Sequence, residues 1–178
     1  SLSMVYMFNT DLDKNRANYF PLTPLSFLRR TAETYPTRLA MVHGEIRRTW
    51  KETADRCWKL ASALAKHGVN AGDTVSIMAP NIPELFEAHF GVPMTGAVLN
   101  SLNTRLDSDS LAYILEHAEC RVLITDTEYS ELMRKVLAKM ERDVLVIDIS
   151  DSEGPGGERL GSKLYEELLD HSDTSFKT

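Results

Sequence analysis

The densest run of side chains able to hold a ligand is Asn100-Ser101-Leu102-Asn103-Thr104-Arg105. Five of these six residues can hydrogen-bond by side chain, and the planar guanidinium of Arg105 suits a two-pronged grip on a phosphate or carboxylate. The plainer reading is a loop between a strand and a helix, with the asparagines bonded to their own backbone and Arg105 paired with Asp107 or Asp109. That reading is preferred. Asp126 stands where a ribose-binding acid stands in dinucleotide folds. No Gly-x-Gly-x-x-Gly follows the first parallel strand, however; Ala79-Pro80-Asn81 is there instead, so Asp126 is read as a helix cap or loop residue. Gly156-Gly157-Glu158-Arg159-Leu160-Gly161-Ser162-Lys163 nearly imitates a phosphate-binding loop. Its order is wrong, because the motif needs Lys and then Ser or Thr, and Glu158 would put negative charge in the cradle.

The remaining chemistry-bearing residues point nowhere together. His89 lies among apolar residues on a helix and is read as a satisfied, partly buried histidine. His67 and His117 sit near helix C-termini, where partial positive charge is favourable. Glu84 and Glu87 read as a solvated helix face. Cys57 and Cys120 are too few for a disulfide framework and lack metal-ligand spacing, which suits a reducing, cytoplasmic setting. The net charge of −6 argues against nucleic acid or an anionic membrane surface as partner, since both need a basic patch. No apolar run reaches membrane-spanning length.

These residues need elements to position them. The 178 residues suit one domain with a real core. Ser1-Leu2-Ser3 read as a non-native cloning scar before a native start at Met4, and residues 1–20 as a loosely held arm. An α/β subdomain is expected over 21–149. Thr23-Pro24 opens a helix with Leu25, Leu28, Ala32 and Tyr35 at helical spacing. Leu39–His43 and Ile46–Trp50 form a hairpin about Gly44-Glu45. Thr49 to Glu52 fits a capping box for a helix whose apolar face carries Ala54, Cys57, Trp58, Ala61, Leu64 and Ala65. From Asp73 strand and helix alternate. Thr74–Ala79, Ala97–Leu99, Arg121–Thr125 and Val144–Ile149 are apolar runs of the kind buried on both faces. Pro93 should end or kink the helix that opens at Asn81, and Asp107 and Thr127 are expected to cap the two that follow. The pattern predicts a Rossmann-like, doubly wound, mainly parallel sheet with the hairpin appended. Residues 150–178 are expected to be a flexible surface loop, a short helix over Ser162 to Leu169, and a truncated end. Ligands of such sheets bind beyond the strand C-termini, at Pro80 and Asn81, Asn100 to Arg105, Asp126 and Thr127, and Asp148 and Ser150.

Read together, several stretches resemble the start of an AMP-forming acyl-CoA synthetase of the adenylate-forming superfamily. They are Asn18-Tyr19, Pro21 to Leu28, Thr49-Trp50 with Glu52, Gly68-Val69, Gly72 to Val75, Asn81 to Glu84, His89 to Asn100, and Asn103 to Leu106. The likeness runs from about Pro21 to Leu169 and is greatest to the medium- and short-chain branch that includes plant acyl-activating enzymes. It implies a parent that joins a carboxylic acid to coenzyme A through an acyl-adenylate, using ATP and Mg2+. The family's Ser/Thr/Gly-rich phosphate loop ending Pro-Lys-Gly, its aromatic-Thr-Glu motif, its ribose-binding Asp and its C-terminal Lys are all absent here. The chain therefore reads as the N-terminal part of such a ligase, inactive alone and completed by the remainder of its own chain. No catalytic residue is assigned, and the likeness puts only Asn103 and Arg105 near a domain interface or the coenzyme A side. A free-standing Rossmann-like module that binds a nucleotide or a protein without catalysis is the rival reading. Chain length of the acid and homo-oligomerisation are left open.

Overall fold

Thr23 starts the first helix as its sequence requires. In a computed structural model, which describes residues 23–175, α1 runs Pro24–Thr34 and the Thr23 hydroxyl accepts from the Ser26 amide at 3.2 Å. The expected arm over 1–20 lies outside the described residues. These residues fall into two compact units divided between Ala54 and Asp55. In the first, Leu28 is buried, whereas Leu25, Ala32 and Tyr35 of the expected face are only half-buried. The hairpin pairs β1 (Leu39–His43) with β2 (Ile46–Thr49) in antiparallel register, and Gly44 takes the positive φ of 56° that its two-residue turn demands. Trp50 does not extend β2 as expected. It is the first residue of α2 (Trp50–Lys66), and its ring meets Phe27 edge-on at 6.2 Å.

The capping box decides that switch from strand to helix. The Glu52 amide donates to the Thr49 hydroxyl at 3.2 Å, and the Glu52 carboxylate accepts from the Thr49 amide at 2.9 Å. The Thr49 amide, and then the Thr49 hydroxyl, bond the Glu52 carboxylate and hold it below its ordinary pKa. We expect Thr49→Ala to destabilise the protein by about 1 kcal/mol in denaturant unfolding. The α2 face differs in detail from the expected one. Trp58 and Ala65 are half-buried, while Leu60 and Ala63 are fully buried beside Cys57, Ala61 and Leu64.

The second unit is a parallel five-stranded sheet in the order β4-β3-β5-β6-β7. Its strands are β3 (Thr74–Met78), β4 (Val98–Ser101), β5 (Cys120–Asp126), β6 (Leu145–Ile149) and β7 (Lys163–Leu164). Four helices belong with them: α3 (Pro83–Met94), α4 (Ser108–His117), α5 (Ser130–Lys139) and α6 (Tyr165–Asp170). The strand order reverses after β3 and β4, which is the doubly wound topology. Alternation along the strands sorts the layers, apart from an irregularity in β5 between Cys120 and Val122. Val75, Ile77, Val122, Ile124, Ile147 and Ile149 pack with α2, α3 and α6; Met78, Cys120 and Leu123 pack with α4 and α5.

Pro93 lies in the last turn of α3, which ends one residue later at Met94, where a proline removes little helical bonding. Two expected details change. Thr127 does not cap α5. A 3-10 turn over Thr127–Tyr129 intervenes, and the Asp126 carboxylate caps that turn by accepting from the Glu128 amide at 2.8 Å. The last helix begins at Tyr165 rather than Ser162, because Lys163 and Leu164 are drawn into the sheet as an edge strand against Ile147 and Asp148. Among the described residues no helix is long and apolar enough to cross a membrane.

Candidate functional site

Register places the nominated loops on one edge. Ile77 pairs with Ser101, Met78 with Thr125, and Asp126 with Ile149, so the loops after β3, β4, β5 and β6 leave the same end of the sheet. The loop after β4 carries Asn103 and Arg105. The Asn103 side chain accepts from the Arg105 amide at 2.9 Å, and the Asp107 carboxylate caps α4 through the Ser110 amide at 2.7 Å. This bracing is the plainer reading of Asn100 to Arg105. The expected pairing of Arg105 with Asp109 is replaced, since Asp109 pairs with Lys139 of α5 at 2.5 Å. Arg105 is exposed on the turn that Asn103 holds. Over the end of β3 this loop reaches the one after β5. A Thr104 hydrogen bond opposes the burial and the Glu128 contact that together push the Tyr129 phenol up to about 12. Asp126 is buried as a cap.

The segment after β6 is fastened to the same edge. The buried Asp148 carboxylate accepts from the Leu160 and Gly161 amides at 3.0 and 2.8 Å. The Glu158 amide donates to the Ser130 hydroxyl at 3.0 Å, and its carboxylate pairs with Arg134. Two glycines allow the backbone to lie this close. A Cβ at Gly157 would meet the Thr127 carbonyl oxygen at 1.8 Å, and one at Gly161 the Val146 carbonyl oxygen at 2.1 Å. Neither obstacle is a side chain that can swing aside. We expect Gly157→Ala to destabilise the fold by roughly 1–3 kcal/mol and to open residues 150–161 to limited proteolysis. The near-match to a phosphate loop therefore builds no cradle: two of its amides already bond Asp148, and Glu158 brings negative charge. Nor do the described residues include a group of three His, Cys, Asp or Glu side chains able to hold a metal ion.

The residues that sequence reasoning misread are Glu84 and Glu87. Neither is solvated: they are 7% and 1% exposed on α3. Arg56 of α2 donates to Glu87 through Nε at 2.5 Å and Nη2 at 3.1 Å, and to Glu166 of α6 through Nη1 and Nη2 at 2.9 and 2.6 Å. The Tyr165 hydroxyl donates to Glu87 at 2.9 Å. The helices close tightly enough for this because Gly91 has no side chain; a Cβ there would meet Leu60 Cδ2 at 2.8 Å. Burial opposes the Arg56 charge, but the Glu166 and Glu87 carboxylates outweigh it and raise its pKa. Burial, then the Glu87 charge, pushes the Glu84 carboxyl up to about 7. His89 is the opposite case. It is exposed, with Nδ1 bonded to the Leu85 carbonyl at 2.7 Å, and not partly buried as expected.

Comparison with known proteins decides the family. Residues 28–173 match the family described as AMP-binding enzyme. This chain belongs to the AMP-binding enzyme family. Within it, the chain is 50% identical over 121 residues to the peroxisomal butyrate–CoA ligase of Arabidopsis thaliana, covering 68% of this chain and 21% of that protein. It is 40% identical over 178 residues to the acetate–CoA ligase of Humulus lupulus, covering 93% and 31%. Solved structures share the fold. The anthranilate–CoA ligase crystallised with anthranoyl-AMP superposes with a TM-score of 0.79 at 20% identity over 92% of this chain and 31% of that one. A benzoate–CoA ligase of Burkholderia xenovorans gives 0.74 at 23% identity, over 86% and 29%. The chain spans between about a fifth and a third of the length of these two curated relatives.

Proposed function

We propose that this chain is the N-terminal part of an ATP-dependent carboxylic acid–CoA ligase, and that alone it does not turn over. The single observation that carries the reading is the family match across residues 28–173. Relatives whose names specify butyrate, acetate and benzoate as acids support a small carboxylic acid as the substrate class. The chemistry sets what the whole protein must provide. A carboxylate is a poor acyl donor until its oxygen becomes a leaving group, and ATP, with Mg2+, supplies that group before the coenzyme A thiol displaces AMP. Two anions must be held in line and developing charge neutralised. The role of this segment is the platform beneath that chemistry: a rigid parallel sheet with its loops ordered on one edge.

Asn103 and Arg105 are proposed to lie near the domain interface or on the coenzyme A side. What supports this is the exposed guanidinium at the end of β4, on a turn that Asn103 braces. The cytoplasm is the proposed compartment, with two buried free thiols in its favour; several relatives carry peroxisomal names, and imaging a tagged full-length protein distinguishes the two.

The test is ATP–pyrophosphate exchange by the full-length protein with a panel of carboxylic acids. Acid-dependent exchange, absent from this segment alone, is the expected result. Failure of every acid, together with tight calorimetric binding of ATP or AMP by the segment, would instead establish a free-standing binding module. Arg105→Ala should raise the KM for coenzyme A with little change in the exchange reaction.

A further inference from the structure

The Arg56 cluster joins three helices and carries more acid than base. Arg56 and Cys57 stand on α2, Glu84 and Glu87 on α3, and Tyr165 and Glu166 on α6. All of α6's polar fastening described above passes through it: Tyr165 to Glu87, and Glu166 to Arg56. Tyr165 is 1% exposed, and its ring belongs to the same apolar layer as Leu168 and Leu169. We propose that this cluster is a pH-gated latch, which holds α6 against α2 and α3 while Glu84 is protonated and loosens it when Glu84 ionises.

Charge counting gives the reason. With Glu84 neutral, the Arg56 guanidinium faces two carboxylates, Glu87 and Glu166, and bonds both. Ionising Glu84 adds a third. Glu84 precedes Glu87 by three residues on α3, so the two carboxylates share a helix face. Among the described residues, Cys57 of α2 and Tyr165 of α6 do not offset the new charge. Burial pushes both the Cys57 thiol and the Tyr165 phenol well up, so both stay neutral through this range. The α3 N-terminus favours an acid in its first turn, but burial and Glu87 outweigh it. Swinging α6 away removes the Glu166 carboxylate, and with it one of the charges that oppose ionisation of Glu84. The sign follows from linkage. The closed form holds the Glu84 proton more tightly than the open form, so α6 is most firmly docked below the ordinary carboxylate range. Docking weakens as pH rises through about 7 and then levels off.

Amide hydrogen exchange, corrected for intrinsic rates, tests this on the protein between pH 5 and 8. The expected result is a fall in protection of the Leu168 to His171 amides on the order of tenfold over that range. Protection there should stay below that of β5 at every pH, marking a local opening. Glu84→Gln mimics the protonated form and should keep α6 protected throughout. Tyr165→Phe removes the bond to Glu87 but leaves Glu84 to titrate, so it should lower protection at every pH and preserve the slope. Wild-type protection independent of pH, or the same fall in Glu84→Gln, would overturn the latch. So would equal protection of α6 and β5. If Glu84→Gln does not fold, a carboxyl-carbon titration of Glu84 in the wild type decides, with a midpoint in the ordinary carboxylate range sinking the idea.

Discussion

Arg56→Met is expected to destabilise the protein by roughly 3–5 kcal/mol, because it leaves a buried carboxylate without its cation. Glu87 is 1% exposed and receives two of its hydrogen bonds from that guanidinium. Methionine keeps most of the apolar stem of arginine, so the loss reports mainly the missing charge. The midpoint of thermal unfolding should fall by about 10 °C. The double variant Arg56→Met with Glu87→Gln should recover a large part of the loss, since it removes both charges. Differential scanning calorimetry on the two variants checks both statements. A loss under about 1 kcal/mol in the single variant would mean that Glu87 is hydrated in solution.

Asp148→Ala is the second large effect. Both oxygens of this fully buried carboxylate accept backbone amides, from Leu160 and Gly161. Hydrogen bonds to a charged group are each worth roughly 1.5–3 kcal/mol, so losing the pair should cost about 3 kcal/mol or more. The damage should spread along the chain. Asp148 also pairs in register with Leu164 of β7, so a freed segment loosens the edge strand and the start of α6. Asp148→Asn keeps one acceptor oxygen and should lose about half as much. Denaturant unfolding with limited proteolysis of residues 150–161 measures both. Unchanged proteolysis in Asp148→Ala would show that the Gly157 and Gly161 contacts hold the segment unaided.

Caps and turns were legible because their partners lie within four residues. Thr23 with Ser26, Thr49 with Glu52, and Asp107 with Ser110 each form bonds across three positions, and residue type alone announces them. The doubly wound sheet was legible for a similar reason: short apolar runs alternating with helical periodicity admit few arrangements. Strand β7 was not, since a two-residue run carries no period. The limits of α2 and α3 faces were blurred for another reason. A helix covered on nearly all sides, as α3 is, shows no polar stripe to orient by.

Glu84 and Glu87 mark the boundary most clearly. Two glutamates three apart look like any hydrated helix face, and nothing near them in the chain says otherwise. The partners of Glu87 are 31 and 78 residues away, in Arg56 and Tyr165, and Arg56 in turn reaches Glu166 across 110 residues. By itself the sequence determined the parallel sheet, its capped helices and the likeness to AMP-forming ligases, because those depend on short-range bonding and periodic burial. Only the tertiary structure decided which charges are stripped of water. Desolvation depends on what covers a group, and here the cover is supplied by helices distant in the chain.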